Sequence, residues 1–426
     1  MIFAYRVFST LIYPFLFIFI YYRKFLKKED PKRFKEKILV SNFNVKKKKS
    51  KLIWFHAASI GEFKSIIPII NNLNIKSHHL EFLITTTTLS SANLAEKELE
   101  KLSNASHRYL PYDVPFLIEK FLNLWKPDRI FLVDSEIWPN IILKAKKHQI
   151  PIALINARLT SKSFNKWMFF SKTAKKIFSV FNLCICSSAK TKNYLEKLNA
   201  KNIFFNGNIK FIDNIVEKEI DNLNKDILSK KRFWFAGSTH QEEDIFCIKT
   251  HLKLKEKFND IITIIAPRHI ERVKKIENIS KKFNLNVQIL NKNEEILENK
   301  ELIIINFFGG LLNYFRHAKS VFIGKSISKK FYKNGGQNPI DAAKLNCKIY
   351  HGPYVHNFEE IYEVLKKNNI AKEIENYEEL SNLLFIDLNY PHKKENGSST
   401  HIKRLAEKIF SNTMTLVDDF LFHDAY

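Results

Sequence analysis

Residues 52–70 read LIWFHAASIGEFKSIIPII. An apolar run leads through His56, Ser59 and Gly61 to Glu62, just ahead of a second apolar stretch with the look of a helix start. Strand, polar turn and helix in that order make half of a βαβ crossover, the unit of a parallel sheet. Ser59 and Glu62 also have the S-x-x-E spacing of a capping box, in which the Ser oxygen accepts the N3 amide hydrogen and the Glu carboxylate reaches back to the N-cap amide. That spacing alone favours capping over catalysis, and the helix dipole would tend to hold the carboxylate ionised.

The same alternation extends outward in both directions. Apolar runs at 52–57, 81–88, 129–136, 151–157, 183–188 and 203–208 are separated by helix-length segments such as 90–103, 115–125, 138–148 and 188–199. A charged stretch without strands follows around 213–231, and the pattern restarts at 233–239, 262–268, 286–291, 302–307, 320–324 and 348–353. Two doubly wound α/β halves are implied. Ligands of such sheets bind beyond the carboxyl ends of the strands, which gives priority to His56, Glu136, Asn156, Asn208, Ser238, Arg268 and Gly324. The last segment, from 399 on, reads as one or two amphipathic helices.

A length of 426 residues is enough for two to three domains, at about 150 residues each. The composition, 45% hydrophobic and 27% charged, is that of a globular chain. A net charge of +25 draws the protein to polyanions such as nucleic acid, anionic lipid or phosphorylated substrates. No nucleic-acid module accompanies that charge, so nucleic acid is not an expected partner. The block VKKKKSK (45–51) reads as a solvated linker. Four cysteines cannot build a dense disulfide framework, and Cys184 and Cys186 alternate like one face of a strand. No metal-ligand spacing occurs, so no structural metal is expected.

The stretch VFSTLIYPFLFIFIYY (7–22) carries no charge and is followed at once by RKFLKK. With IFAY in front it approaches the roughly 20 residues of a spanning helix. The basic cluster holds the following chain on the cytoplasmic side. The stretch reads as a membrane anchor, kinked at Pro14, and both a spanning and an interfacial placement stay open. The expected organisation is an anchor at 1–28, a basic linker at 29–50, a first domain at 51–215, a second at 216–390 and a helical tail at 391–426 that would pack on the first domain.

Several loops carry the residue types of a nucleotide or sugar site. In GGQNPIDAAK (335–344), Asn338 suits an N-cap, Pro339 the first helical position and Asp341 the third, and amides at such a terminus attract a phosphate. APRH (266–269) closes a strand with an arginine, whose forked donors match a phosphate or carboxylate. GSTHQEED (237–244) ends a strand in a hydroxyl-rich turn. In the first half, DSEIWPN (134–140) brings Glu136 to a strand end, and NGNIKF (206–211) sets Lys210 after a turn. Each of these also fits a plain cap or a solvated side chain.

In order along the chain, WFHAASIGE, YLPYD (109–113), DSEIWPN, INARLTSKSF (155–164), GNIKF, GSTHQEE, APRHIER (266–272), GGQNPIDAA and GPYVHNFEE (352–360) resemble the bacterial 3-deoxy-D-manno-octulosonic acid (Kdo) transferases of lipid A assembly. The resemblance runs from the anchor to about residue 365. It implies a GT-B glycosyltransferase fold, two Rossmann-like domains with an interdomain cleft, plus the N-terminal membrane anchor helix. It further implies CMP-Kdo as donor, a lipid A precursor as acceptor, the cytoplasmic face of the inner membrane, an inverting transfer and no bound metal or cofactor. Residue by residue, the family's general base falls on Glu62, and its supporting acid and lysine fall on Glu136 and Lys210. The CMP contacts fall on Pro267 and Arg268, on Gly309, Gly310 and Leu311, and on Asn338, Pro339, Ile340 and Asp341. Gly310 stands where the family commonly has Glu, Gln337 where it has His, and Asp341 where it has Glu, while Ile212 is additional before Asp213. Two other readings stay open: a different membrane-associated GT-B transferase of lipid-linked sugars, and a non-catalytic CMP-binding membrane protein.

Overall fold

Strands buried on both faces need helices above and below, and parallel βαβ connections supply them. In the computed structural model, which describes residues 1–40, 50–77, 79–212, 223–390 and 397–423, the apolar runs become two such sheets. The chain divides into one unit of Met1–Asn214 with Ala406–Tyr426 and another of Ile215–Leu405.

The first sheet contains β1 (Lys51–His56), β2 (Leu80–Thr86), β3 (Ala105–Tyr109), β4 (Arg129–Val133), β5 (Ile152–Ala157), β6 (Leu183–Cys186) and β7 (Ile203–Phe205), in the order β3-β2-β1-β4-β5-β6-β7. All neighbours are parallel. The order reverses between β1 and β4, so the crevice for a ligand opens beyond the ends of those two strands. Trp54, Phe121 and Trp125 anchor the core on one side of this sheet. The run expected as 129–136 stops at Val133 because Asp134 turns into the left-handed region, φ 64.

The second sheet contains β8 (Phe233–Thr239), β9 (Ile262–Pro267), β10 (Val287–Leu290), β11 (Leu302–Ile305), β12 (Ser320–Ile323), β13 (Lys348–His351) and β14 (Ala371–Glu373), in the order β10-β11-β9-β8-β12-β13-β14. It too is parallel, and its order reverses between β8 and β12.

At the N-terminus two helices form instead of one kinked helix. Ile2–Leu11 and Tyr13–Phe25 meet at 55°, and no single helix among the described residues is long and apolar enough to cross a membrane. Pro14 starts the second helix, where its missing N–H leaves no bond unmade, so the bend falls at Ile12. The pair is docked along its length on the first unit. Tyr5 donates to Asp113 at 2.9 Å, Tyr13 donates to the Ile38 carbonyl at 2.8 Å, and Ile20 is buried with Phe34 and Ile38.

The basic linker expected at 29–50 is corrected over its first part. Phe34, Ile38, Glu29 and Lys37 are buried there, because the Lys37 ammonium finds Glu29 and the Thr87 carbonyl inside the domain. Most of VKKKKSK lies outside the described residues, as does Asp213. The charged stretch after it contains a short helix, Lys225–Lys230. The tail is one helix, Gly397–Phe422, whose end joins the first unit through Lys76 to Asp418 at 2.6 Å and the Phe131–Phe420 ring pair at 5.2 Å.

Candidate active site

Glu62 lies in the first turn of the helix Ile60–Lys76, which follows β1. Ser59, extended at φ −116 and ψ 165, is the N-cap, and its hydroxyl oxygen accepts from the Glu62 amide at 3.4 Å. The reciprocal half of the expected capping box differs. The Glu62 carboxylate does not take the Ser59 amide; Oε2 accepts from the Ala58 amide at 2.8 Å and Oε1 from the Ser59 hydroxyl at 2.9 Å. One residue earlier along the chain, the Ala58 amide is the donor that the turn leaves facing the carboxylate. Both carboxylate oxygens are thereby fixed while the side chain remains only half-buried.

Glu136 follows β4 across the crevice. Its Oε2 accepts from Trp138 Nε1 at 2.7 Å and lies 3.1 Å from His56 Nε2. Lys210, in the turn Ile209–Phe211 against which the Glu62 helix packs, donates to Asp134 Oδ2 at 2.6 Å. Asn156 and Asn208 build that turn, accepting from the amides of Ile209 and Lys210 at 3.0 Å each. Asp134 is buried in its left-handed conformation, a geometry that Asp tolerates better than most residues and that clusters at functional sites.

These groups form one electrostatic cluster. Burial, then the charges of Asp134 and Glu136, push the Glu62 carboxyl up, while Lys210 and the Ser59 hydrogen bond pull it down. The net direction is upward, so burial and two acidic neighbours outweigh Lys210 and the Ser59 hydrogen bond. A carboxylate raised in this way is a better proton acceptor than an ordinary one. The three first-half residues named from the sequence thus come together at the switch point of one sheet. Asp134, Trp138 and His56 belong to the cluster as well. Asp134 and Trp138 were missed as partners although DSEIWPN contains both, because only the fold shows which carboxylate meets Lys210.

In the second unit, Pro267 ends β9 and the Arg268 side chain stands exposed, its amide donating to the Thr239 carbonyl at 3.0 Å. Arg272 of the same motif is instead tied to the buried Asp244. Gly309 has φ 91, and Leu311 opens the helix Leu311–His317. A Cβ on Gly310 would lie 2.4 Å from Phe307 Cε2, so a Glu at this position would have to displace that ring. The helix after GGQNP starts one residue later than expected. Pro339 is the N-cap of Ile340–Lys344, and Asn338 caps from outside, accepting from the Ile340 amide at 3.1 Å. Gly335 lets the loop pass under Tyr354, whose carbonyl oxygen would be 2.1 Å from an added Cβ.

The GSTHQEED turn holds a hub that the sequence did not single out. Glu243 is fully buried, and its carboxylate accepts from the amides of His240 (2.8 Å), Lys325 (2.7 Å), Ser326 (2.8 Å) and Ile327 (3.2 Å). Burial pushes its carboxyl up and the amide donors pull it back. It joins the loops after β8 and β12 at the reversal of the second sheet. His240 beside it is pushed down to about 4, mainly by burial, and is neutral at physiological pH.

Comparison with known proteins agrees with this architecture. Residues 32–213 match the family model described as 3-Deoxy-D-manno-octulosonic-acid transferase (kdotransferase). A 3-deoxy-D-manno-octulosonic acid transferase of Rickettsia bellii is 30% identical over 98% of this chain and 99% of its own length. That of Haemophilus influenzae is 28% identical, over 74% of this chain and 73% of its own. Among solved structures, a glycosyltransferase from Rickettsia africae matches with a TM-score of 0.57 at 11% identity, over 88% of this chain and 100% of that one. The two parallel-sheet α/β units are those of a GT-B fold. By its end-to-end likeness to the Rickettsia bellii enzyme, the chain belongs to the 3-deoxy-D-manno-octulosonic acid (Kdo) transferase family of glycosyltransferases.

Proposed function

We propose that the protein transfers Kdo from CMP-Kdo to a lipid A precursor at the cytoplasmic face of the inner membrane, with inversion and without a metal ion. The observation that carries this reading is the cluster of Glu62, Glu136, Asp134 and Lys210 beyond the ends of β1 and β4, in a chain of the Kdo transferase family. Glu62 takes the proton of the acceptor hydroxyl as its oxygen bonds to the Kdo anomeric carbon, and the bond from that carbon to the CMP phosphate breaks on the opposite side. General-base help of this kind is worth about 10²- to 10⁴-fold in rate. Glu136, held by His56 and Trp138, supports the charge that develops at the anomeric carbon, and Lys210 offers a cation to the Kdo carboxylate. In the second unit, Arg268 and the amides around Asn338–Asp341 are the donors suited to a phosphate of the CMP group.

The N-terminal helices serve as an in-plane anchor in this reading. At about 1.5 Å per residue their 10 and 13 residues reach about 15 and 20 Å, short of a hydrocarbon core of about 30 Å. One face is docked on the domain, while Phe3, Phe8, Leu11, Phe15, Ile18 and Phe25 are exposed on the other. Arg23, Lys24, Lys27 and Lys28 follow as cations for anionic headgroups. Phe8→Asp with Ile18→Asp is expected to abolish co-flotation with vesicles of phosphatidylglycerol and phosphatidylethanolamine, which the wild type retains.

The experiment that tests the activity is incubation of the membrane-bound protein with CMP-Kdo and a lipid A precursor, with products weighed by mass spectrometry. Addition of one or more Kdo masses is expected. Transfer from a UDP-sugar in place of CMP-Kdo, or CMP binding without turnover, would refute it.

A further inference from the structure

Four threonines in a row, Thr85–Thr88, run from the end of β2 into the turn after it, and the mechanism above uses none of them. The parallel register sets Thr85 beside His56 of β1. Trp54 Nε1 donates to Thr85 Oγ1 at 2.8 Å, and that hydroxyl lies 2.9 Å from His56 Nδ1. His56 is fully buried, with Nε2 3.1 Å from Glu136 Oε2. A carboxylate only accepts, so Nε2 is the donor toward Glu136, and Nδ1 is placed to accept from the threonine hydroxyl. Donation therefore runs from Trp54 to Thr85 to His56, and from the far side of His56 to Glu136.

Two residues on, the pattern repeats toward the other carboxylate. Thr87 Oγ1 donates to the Ala58 carbonyl at 3.0 Å, and the Thr87 amide approaches the same oxygen at 3.4 Å. The Ala58 amide in turn donates to Glu62 Oε2 at 2.8 Å. Lys37 fixes the Thr87 carbonyl from behind at 2.8 Å.

We propose that Thr85 and Thr87 are positioning residues for sugar transfer: Thr85 aims Glu136 by setting the tautomer of His56, and Thr87 aims Glu62 by holding Ala58. The proposal rests on the reading of Glu62 as general base. Valine keeps the shape of threonine and removes the hydroxyl. In Thr85→Val, His56 Nδ1 loses its donor, and the ring gains by moving its proton to Nδ1 and donating to the Thr85 carbonyl, 3.1 Å away. The lone pair of Nε2 would then face the Glu136 carboxylate.

The test measures CMP-Kdo turnover by full-length Thr85→Val, Thr87→Val, Thr85→Ser and Thr87→Ser in membranes. Each valine variant should lower kcat by about 10- to 100-fold, the scale on which a small misplacement near the chemistry acts. The KM for CMP-Kdo should stay within about 2-fold and serine should restore most of the rate, since the loss is of alignment and not of donor binding. Valine variants with wild-type kcat, or serine variants as impaired as the valines, would overturn the proposal. Glu62→Gln in the same assay separates the two ideas: full activity there removes the general-base reading, whereas loss there with an active Thr87→Val removes only the positioning role.

Discussion

Glu62→Gln is expected to lower Kdo transfer by about 10²- to 10⁴-fold, the scale of a lost general base, and to leave the melting temperature nearly unchanged. Folding survives because the amide still satisfies the turn. Its oxygen can take the Ala58 amide hydrogen, and its NH₂ can donate to the Ser59 oxygen once that hydroxyl rotates, replacing the bonds seen at 2.8 and 2.9 Å. What disappears is the capacity to accept the proton. Thermal unfolding by circular dichroism beside the transfer assay separates the two roles. A large fall in melting temperature together with activity would leave Glu62 as a cap only.

The pH dependence carries a sign. Glu62 acts when ionised and its carboxyl is raised above the ordinary value, so the rate falls as pH drops through a point above the usual carboxylate range. Asp134→Asn removes one of the charges that raise it and releases Lys210 from its ion pair, and both changes pull the Glu62 carboxyl down. The acid limb of the kcat profile should therefore move to lower pH in that variant, even where the maximal rate is reduced. A limb that stays in place would show that another group controls it.

Glu243→Gln should destabilise the second unit by about 2–6 kcal/mol. A glutamine oxygen can serve only part of the four amides that the carboxylate now accepts, and each buried amide left without a partner costs about 1–3 kcal/mol. For a unit of this size that corresponds to roughly 2–4 °C in melting temperature per kcal/mol. Affinity for CMP, measured by calorimetry, should fall with it, because the loops after β8 and β12 lose their common tie. A variant as stable as wild type would mean that these loops are held by other contacts.

The fold was legible where burial dictates composition. All twelve apolar runs read from the sequence correspond to strands, since a parallel strand covered on both faces must be apolar throughout. The two strands that were not read, β3 (ASHRY) and β14 (AKE), lie at sheet edges, where polar residues are tolerated and the periodicity fades. The N-terminal stretch was legible as apolar, but its break was not, since Pro14 suits the start of a helix as well as a kink. At the site, Glu62, Glu136 and Lys210 were named from motifs, whereas the Lys210–Asp134 pair and the His56–Glu136 contact join residues 76 and 80 positions apart. Glu243 was hidden for another reason. Its partners are backbone amides, which leave no trace in residue type.

The closing helix bears on how the molecule is made. Phe420 packs on Phe131 of the central strand β4, Arg129 donates to the Phe420 carbonyl at 3.1 Å, and Ile409 fills the space above Gly207. The unit that carries Glu62 is therefore assembled from two segments, one on either side of the second unit in the sequence. During translation the second unit has all of its strands before the first has its last covering helix, so the usual order of domain completion is reversed. The half that holds the proposed general base is therefore completed only after the sheet of the second unit.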